Sequence, residues 1–136
     1  MTARSTLRIS GRTRELARVR RAVEAWSAEA GLDDARAHRL QLAVDEAVAN
    51  AIEHGLRDAT TLITVGADVE DGAVTVTVRY RGDRFDPTAA PARPAAEALR
   101  QRAEHGYGLL LLRGLVDDAA YRYARGVNEV RLTKRA

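Results

Sequence analysis

The segment that decides the interpretation of this chain is 33–55, DDARAHRLQLAVDEAVANAIEHG. Its apolar residues recur at the three- and four-residue spacing of a helix: Leu40, Ala43, Val44, Ala47, Val48, Ala51 and Ile52. Asp33 or Asp34 can cap the start, and Gly55 stands where a C-terminal glycine is expected. The pattern predicts an amphipathic helix to about residue 54, with one apolar stripe to bury against another layer.

The polar face of this helix is its most informative part. Glu46, Asn50 and Glu53 lie three or four residues apart, so they share the side opposite the Val44/Val48 stripe. Such a face ordinarily meets water, but Asn is unfavourable in a helix because its amide competes for backbone hydrogen bonds. A carboxylate one turn before a carboxamide suits a phosphate site, where the carboxylate accepts a proton and the amide oxygen ligates magnesium.

The flanking segments predict a helix and two β-hairpins. A strand is expected at 4–10, a helix at 13–30 closed by Gly31, strands at 60–69 and 73–80 joined by Asp71-Gly72, and strands at 119–124 and 127–133 joined by Arg125-Gly126. A short helix is expected at 97–103 and an apolar one at 109–116. These elements predict one α+β domain over 1–136, a two-layer sandwich whose mostly antiparallel sheet is covered on one face by helices.

Two glycine-bearing turns flank these elements. Gly82 follows a strand directly in RGDRFDP, and Gly106 and Gly108 precede a helix in HGYG. Glycine allows close backbone approach, and a helix N-terminus presents free amides to phosphate oxygens. Either turn alone is more often only a turn.

Composition narrows the class of protein. The chain has 136 residues, 46% of them hydrophobic and 30% charged, so it predicts a soluble globular domain, and no apolar run is long enough to span a bilayer. With no cysteine, disulfides, thiol catalysis and Cys-ligated zinc are excluded. His38, His54 and His105 are not spaced as metal ligands. A cytoplasmic location and no membrane association are expected, since the N-terminus lacks a signal peptide.

Arginine accounts for all the basic residues except Lys134, and seven arginines fall within the first 21 positions. A basic end of this kind suits nucleic acid or an acidic partner, but an Arg-rich composition with a solvated helix face is the simpler explanation. Aromatic residues make up only 4%, so stacking platforms for single strands are scarce.

Taken in order, these motifs resemble those of the anti-sigma-factor serine kinases, a branch of the Bergerat-fold, histidine-kinase-like ATPases. Residues 42–55, LAVDEAVANAIEHG, are similar to the family's N box, and Gly82 with Phe85-Asp86-Pro87 is similar to its first glycine box. GYGL at 106–109 is similar to the family's second glycine box, and NEVRL at 128–132 is similar to the family's last strand.

The resemblance implies a set of roles. Glu46 would be the general base and Asn50 the magnesium ligand, while Gly82, Gly106 and Gly108 would shape a pocket for ATP or ADP. Residues 88–104 would form a mobile lid over that pocket. Such kinases bind a sigma factor or phosphorylate an anti-anti-sigma protein of the STAS type on serine, and they commonly form homodimers. Arg18 stands where a similar arginine contacts partners in some members.

The sequence departs from the family at the adenine contact. Tyr80 occupies the position of the aspartate that accepts the adenine amino group, and Arg84 replaces the box's second glycine. Glu129, on the last strand, could provide a substitute carboxylate. Two interpretations follow: an ATP-dependent serine kinase and anti-sigma factor with a modified pocket, or a nucleotide-independent partner-binding regulator with a degenerate site. The presence of both Glu46 and Asn50 favours the first interpretation. A third interpretation is that the basic first helix binds DNA.

Overall fold

A computed structural model of the chain describes residues 3–55, 61–86 and 114–136. The elements are the strand β1 (Ala3–Ser10), a 3-10 turn (Thr13–Glu15), the helices α1 (Leu16–Ala30) and α2 (Asp34–Asn50), a π-helical turn (Ala51–Gly55), and the strands β2 (Leu62–Glu70), β3 (Ala73–Arg81), β4 (Asp118–Ala124) and β5 (Val127–Arg135). Every predicted strand is therefore present, with ends shifted by at most two residues.

The five described strands form one antiparallel sheet in the order β1-β2-β3-β5-β4. Both predicted hairpins are confirmed. At the β4–β5 turn Arg125 and Gly126 have φ values of 53° and 77°, as a two-residue turn matched to the strand twist requires. At the β2–β3 turn Gly72 has a φ of 85°, which a residue with a side chain adopts only under strain.

Side chains alternate along each strand, and one face of the sheet is buried beneath the two helices. Val74, Val76 and Val78 are fully buried, whereas the intervening threonines are half-exposed. The helical stripe predicted for α2 packs on this face together with Val19, Val23 and Trp26 of α1. The predicted class, an α+β sandwich with helices on one face of an antiparallel sheet, is confirmed.

The ends of the helices follow the sequence signals. Gly31 takes the left-handed conformation after α1, where its N–H and that of Leu32 bond to carbonyls of the last turn. Asp33 caps α2 by accepting a hydrogen bond from the Arg36 N–H at 2.8 Å. The predicted α-helix to residue 54 is wrong in one respect, because the α-helical part ends at Asn50 and continues as a π turn.

The orientation of α2 places its C-terminal end at a defined end of the sheet. The Gly72 N–H donates to the Ala30 carbonyl at 2.9 Å, so the α1–α2 connection lies at the β2–β3 turn. From there α2 runs for 17 residues, about 25 Å, and β3 runs away from the same turn. Asn50 and the π turn therefore lie towards the far end of β3, and the π turn contacts that strand.

Several predictions fall outside the described residues. The lid at 88–104, the short helix at 97–103, Gly106, Gly108 and most of the helix at 109–116 belong to this group; of the last, Gly114 and Leu115 are described and helical. Across the described ranges, none of the helices combines the length and apolarity needed to cross a membrane.

Candidate functional site

Asn50 is a buried polar residue near the end of α2, with only 5% of its surface exposed. Like Ser27 Oγ and Asp45 Oδ1, its Nδ2 is buried and has no hydrogen-bond partner among the residues that the structure describes. Leaving a buried amide donor unsatisfied costs about 1–3 kcal/mol, and a π turn directly after an α-helix is frequent at functional sites. The interpretation of this polar face as solvated is therefore wrong at Asn50, whose side chain is buried.

Glu46 lies one helical turn before Asn50 on the same face and is half-buried. Glu53, the third member of the predicted set, lies in the π turn and is exposed. The three residues therefore have different surroundings: Asn50 is buried, Glu46 is half-buried, and Glu53 is exposed. A carboxylate and a carboxamide in this order can accept a proton and hold a cation at neighbouring positions.

Tyr80 lies at the far end of β3 on the helix-covered face. It is 4% exposed and belongs to the hydrophobic core. Burial, and to a lesser extent the neighbouring Tyr121, raise the pKa of the Tyr80 hydroxyl above its ordinary value. The phenol therefore remains neutral at every physiological pH, and it cannot provide the charged acceptor expected from an aspartate at this position.

Asn128 is the functional-site residue that the sequence analysis missed. It is paired with Tyr80 in the β3–β5 register and is fully buried. Its Nδ2 donates to the Asp83 carbonyl at 2.9 Å, and its Oδ1 accepts the Phe85 N–H at 3.1 Å and the Tyr121 hydroxyl. One amide thus ties β4 and β5 to the loop after β3.

A signal for Asn128 was present in the alternation of the last strand. Val130 and Leu132 occupy the buried face of β5, and Asn128 has the same parity. A polar residue on an apolar face is buried at a cost unless it is hydrogen-bonded. The pairing of β5 with β3, which brings Asn128 beside the loop, could not be derived from local sequence.

Gly82 opens the loop that these side chains hold. Its N–H donates to the Gly126 carbonyl at 3.1 Å, and its own carbonyl accepts the Tyr123 hydroxyl at 3.1 Å. Arg84 stands in place of the second glycine. Its guanidinium carbon lies 6.0 Å from the centre of the Tyr121 ring, which is a cation–π distance. The loop is therefore attached to β4 and β5 by backbone and side chains.

The expectation for Glu129 is wrong. Glu129 is paired with Arg79 on the sheet face opposite the helices, with 3.5 Å between Oε1 and the Arg79 Nε. Tyr80 and Asn128 lie on the other face, because adjacent residues of a strand point to opposite sides. A carboxylate on this side of the sheet does not reach the position that the missing aspartate would occupy.

We therefore expect Glu129→Ala to change the affinity for ATP by less than about twofold, since a charge beyond the sheet is screened and makes no contact with the site. Isothermal titration of the variant beside the unmodified protein measures this. The matched variant Arg79→Ala removes the partner of Glu129 and should behave alike. A weakening of about tenfold or more in Glu129→Ala alone would contradict the placement.

Two other positions considered in the sequence lie on the exposed surface of the helices. Arg18 is exposed on α1 and forms an ion pair with Glu15 at 3.2 Å. His38 is exposed on α2. The N-terminal arginines do not form one helical face either, because Arg4 and Arg8 lie on β1 and Arg20 is paired with Asp45 at 3.0 Å.

The residues present fit a magnesium–nucleotide complex at Asn50. If the amide oxygen ligates the cation, the unpartnered Nδ2 remains available to donate to a phosphate oxygen. Within the described ranges no group of three or more His, Asp and Glu is placed to hold a metal. Protein sites usually hold magnesium through one or two side chains plus phosphates and water.

Comparisons with known proteins agree with this geometry. The profile of the histidine kinase-like ATPase domain matches residues 9–134. Over 94 residues the chain is 30% identical to the serine-protein kinase RsbW of Oceanobacillus iheyensis, covering 65% of this chain and 59% of that protein. The chain thus spans about three fifths of the length of this curated relative, which confirms the predicted resemblance to serine kinases of this type.

A solved structure shares the fold. The RsbU and RsbW domains of Rv1364c from Mycobacterium tuberculosis superpose with a TM-score of 0.70 at 24% sequence identity. The match covers 98% of this chain and 32% of that one. Its identity is low enough that the likeness concerns the fold alone, and it extends over nearly the whole chain.

Proposed function

Since the chain belongs to the histidine kinase-like ATPase domain family, we propose that it is an ATP-dependent protein serine kinase that acts as an anti-sigma regulatory factor. The observation that carries the proposal is the buried Nδ2 of Asn50, which has no hydrogen-bond partner within the described ranges and lies one turn after the half-buried Glu46. A fold of this family with no ligand role at Asn50 would gain stability from an apolar residue there. The similarity to a serine-protein kinase supports the same reaction.

Each residue has a chemical role in this proposal. Glu46 accepts the proton of the attacking serine hydroxyl, and Asn50 holds the cation and a phosphate oxygen. Bound ATP supplies the phosphoryl group, and magnesium neutralises the charge that develops on it. The loop from Gly82, held by Asn128, forms one wall of the pocket, and we propose that Gly106 and Gly108 complete the site and that 88–104 covers it.

The proposed partners are a sigma factor and an anti-anti-sigma protein of the STAS type, which receives the phosphoryl group. The similarity to a serine-protein kinase supports the transfer of a phosphoryl group to a protein serine. We further propose that the protein acts in the cytoplasm as a homodimer, that Arg18 contacts a partner, and that neither nucleic acid nor a membrane is bound directly. The exposed position of Arg18 on α1 leaves it accessible for such a contact.

A second function is favoured by Tyr80. Its ring is packed into the core, and its hydroxyl stays neutral where the adenine amino group would need a charged acceptor. Losing one charge-assisted hydrogen bond costs about 1.5–3 kcal/mol, or one to two decades of affinity. In that case the chain regulates its partner by binding alone, with a degenerate nucleotide site.

A titration with ATP and ADP, with and without magnesium, separates the two functions. We expect the unmodified protein to bind ATP more weakly without magnesium, and Tyr80→Asp to bind about 10- to 100-fold more tightly because the charged acceptor is restored. Tyr80→Phe, which keeps the ring and removes only the hydroxyl, is the matched control and should not gain affinity. Thermal unfolding of each variant verifies that the buried substitution leaves the protein folded.

The outcomes are distinct. Magnesium-dependent binding by the unmodified protein supports the kinase. Binding that appears only in Tyr80→Asp supports the partner-binding regulator. If all three folded proteins fail to bind nucleotide, the assignment of Asn50 and Tyr80 to a nucleotide site is wrong.

A further inference from the structure

The sheet face opposite α1 and α2, here called the open face, carries a shallow groove of about 290 Å³. Its lining comes from β1, β2, β3 and β5, with Gly66 in the floor and threonines around it. The described residues place no element over this face, since both helices pack on the other side. The groove is thus separate from the candidate nucleotide site, which lies between the sheet and α2.

Charge distinguishes this groove from an ordinary solvated sheet face. Arg4, Arg79 and Arg131 line it together with Asp68 and Glu129. Arg4 is bound to Asp68 at 2.8 Å, and Arg79 to Glu129 at 3.5 Å. Arg131 is exposed, and among the described residues no carboxylate is paired with it.

Two further arginines extend the positive charge across the sheet. In the strand register, Arg8 of β1 and Arg122 of β4 stand in the same row as Arg79 and Glu129. Both are exposed. Arg122 stands directly opposite Glu129 in the β4–β5 register, but Glu129 forms its ion pair with Arg79. The described part of the open face thus carries more arginines than carboxylates, and Arg8, Arg122 and Arg131 have no ion pair with a described carboxylate.

The chemistry of these side chains selects the kind of occupant. The guanidinium group presents a planar fork of donors that matches a carboxylate with two hydrogen bonds. The hydroxyls of Thr6, Thr64 and Thr77 line the floor and can donate to further oxygens. Neither an aromatic nor a large apolar side chain lines the groove, so an apolar peptide finds no pocket here.

Two other occupants are less compatible with the face. A nucleic acid would place its phosphates near Asp68 and Glu129, and it would find no aromatic platform for its bases. A two-fold contact between two copies of the chain pairs identical surfaces. If both copies used this face, two positively charged surfaces would meet and repel each other. Separate carboxylates on a protein surface can contact the arginines and avoid the two acidic positions.

We propose that the open face is a docking surface for an acidic protein segment, bound through Arg8, Arg122 and Arg131. The contact is electrostatic and lies on the side of the sheet away from Asn50, Tyr80 and Asn128. It therefore does not require nucleotide, and it is independent of whether the chain is a kinase. Charge complementarity of this kind raises the association rate and selects among partners more than it adds affinity.

The test uses a fluorescent oligo-glutamate peptide and the full chain at low salt. The groove variant is Arg122→Gln with Arg131→Gln, which removes two exposed arginines that have no described carboxylate partner. The matched control is Arg21→Gln with Arg39→Gln, which makes the same change of net charge at exposed positions of α1 and α2. We expect the groove variant to lose about tenfold in affinity and the control less than about twofold.

The binding of duplex DNA, sedimentation and thermal unfolding complete the experiment. Failure of the unmodified protein to bind the peptide, or equal losses in both variants, would overturn the proposal, because binding would then be absent or reflect net charge alone. Duplex DNA that binds more tightly than the peptide and is lost in the groove variant would assign the face to nucleic acid instead. A dimer in sedimentation that only the groove variant dissociates would assign it to self-association. Unchanged thermal unfolding of both variants excludes a folding effect.

Discussion

Glu46→Gln should lower the rate of phosphoryl transfer to the serine of the anti-anti-sigma partner by about 10²–10⁴-fold, which is the usual contribution of a positioned general base. Gln keeps the shape of the side chain and removes its ability to accept a proton at neutral pH. Glu46 is half-buried, one turn before Asn50, so the substitution changes the chemistry of one group at the site. Single-turnover transfer of labelled phosphate from ATP measures the effect.

The affinity for nucleotide separates this role from a structural one. A group that acts only as a base leaves ATP binding nearly unchanged, whereas a group that supports the pocket weakens binding and transfer together. Glu53→Gln is the matched control, since Glu53 lies in the following π turn and is exposed; it should retain the transfer rate. A Glu46→Gln protein that transfers phosphate at the unmodified rate would remove Glu46 from the mechanism.

Asn128→Leu should lower the free energy of unfolding by about 3 kcal/mol, because the substitution leaves the Asp83 carbonyl and the Tyr121 hydroxyl without the Asn128 amide. The Phe85 N–H then keeps only its hydrogen bond to the Tyr121 hydroxyl at 3.1 Å. For a domain of this size the loss corresponds to a fall in Tm of about 10 °C. Thermal and urea unfolding by circular dichroism measure the change.

Two variants serve as controls for Asn128. Tyr121→Phe removes the hydroxyl that donates to the amide and accepts the Phe85 N–H. Because Asn128 still accepts that N–H, this variant should cost about 1 kcal/mol. Thr133→Val alters the same strand on the open face, where the hydroxyl lies 3.0 Å from that of Thr75, and should cost no more than Tyr121→Phe. An Asn128→Leu protein as stable as Thr133→Val would show that the amide does not hold the loop after β3.

Local patterns predicted most of the architecture. Alternation in β3 and β5, the three- and four-residue spacing in α2, and the hairpin turns at Gly72 and Gly126 each depend on residues close together in the chain. For this reason the strands, the capping of α2 by Asp33, the left-handed Gly31 and the covered sheet were predictable. The α-to-π change at Ala51 was not, since nothing in the apolar stripe interrupts the helical spacing there.

The candidate site was only half predictable. Glu46 and Asn50 could be identified because their spacing on one helix makes them neighbours whatever the rest of the fold does. The burial of Asn128 and the position of Glu129 on the opposite face depend on a long-range pairing, because β5 lies between β3 and β4. The register of β5 decides which of these two adjacent residues faces the helices. A shift of one residue would exchange their positions.

Composition and periodicity thus predicted an α+β fold with a polar pair, Glu46 and Asn50, on its second helix. Burial, which arises when the layers pack, made Asn50 an unsatisfied donor and Tyr80 a neutral core residue. The same packing left the arginines of four strands on one uncovered face, although they are scattered along the sequence from Arg4 to Arg131. Chain neighbours fix a helix or a turn, whereas the faces of a sheet are shared by segments that meet only after folding.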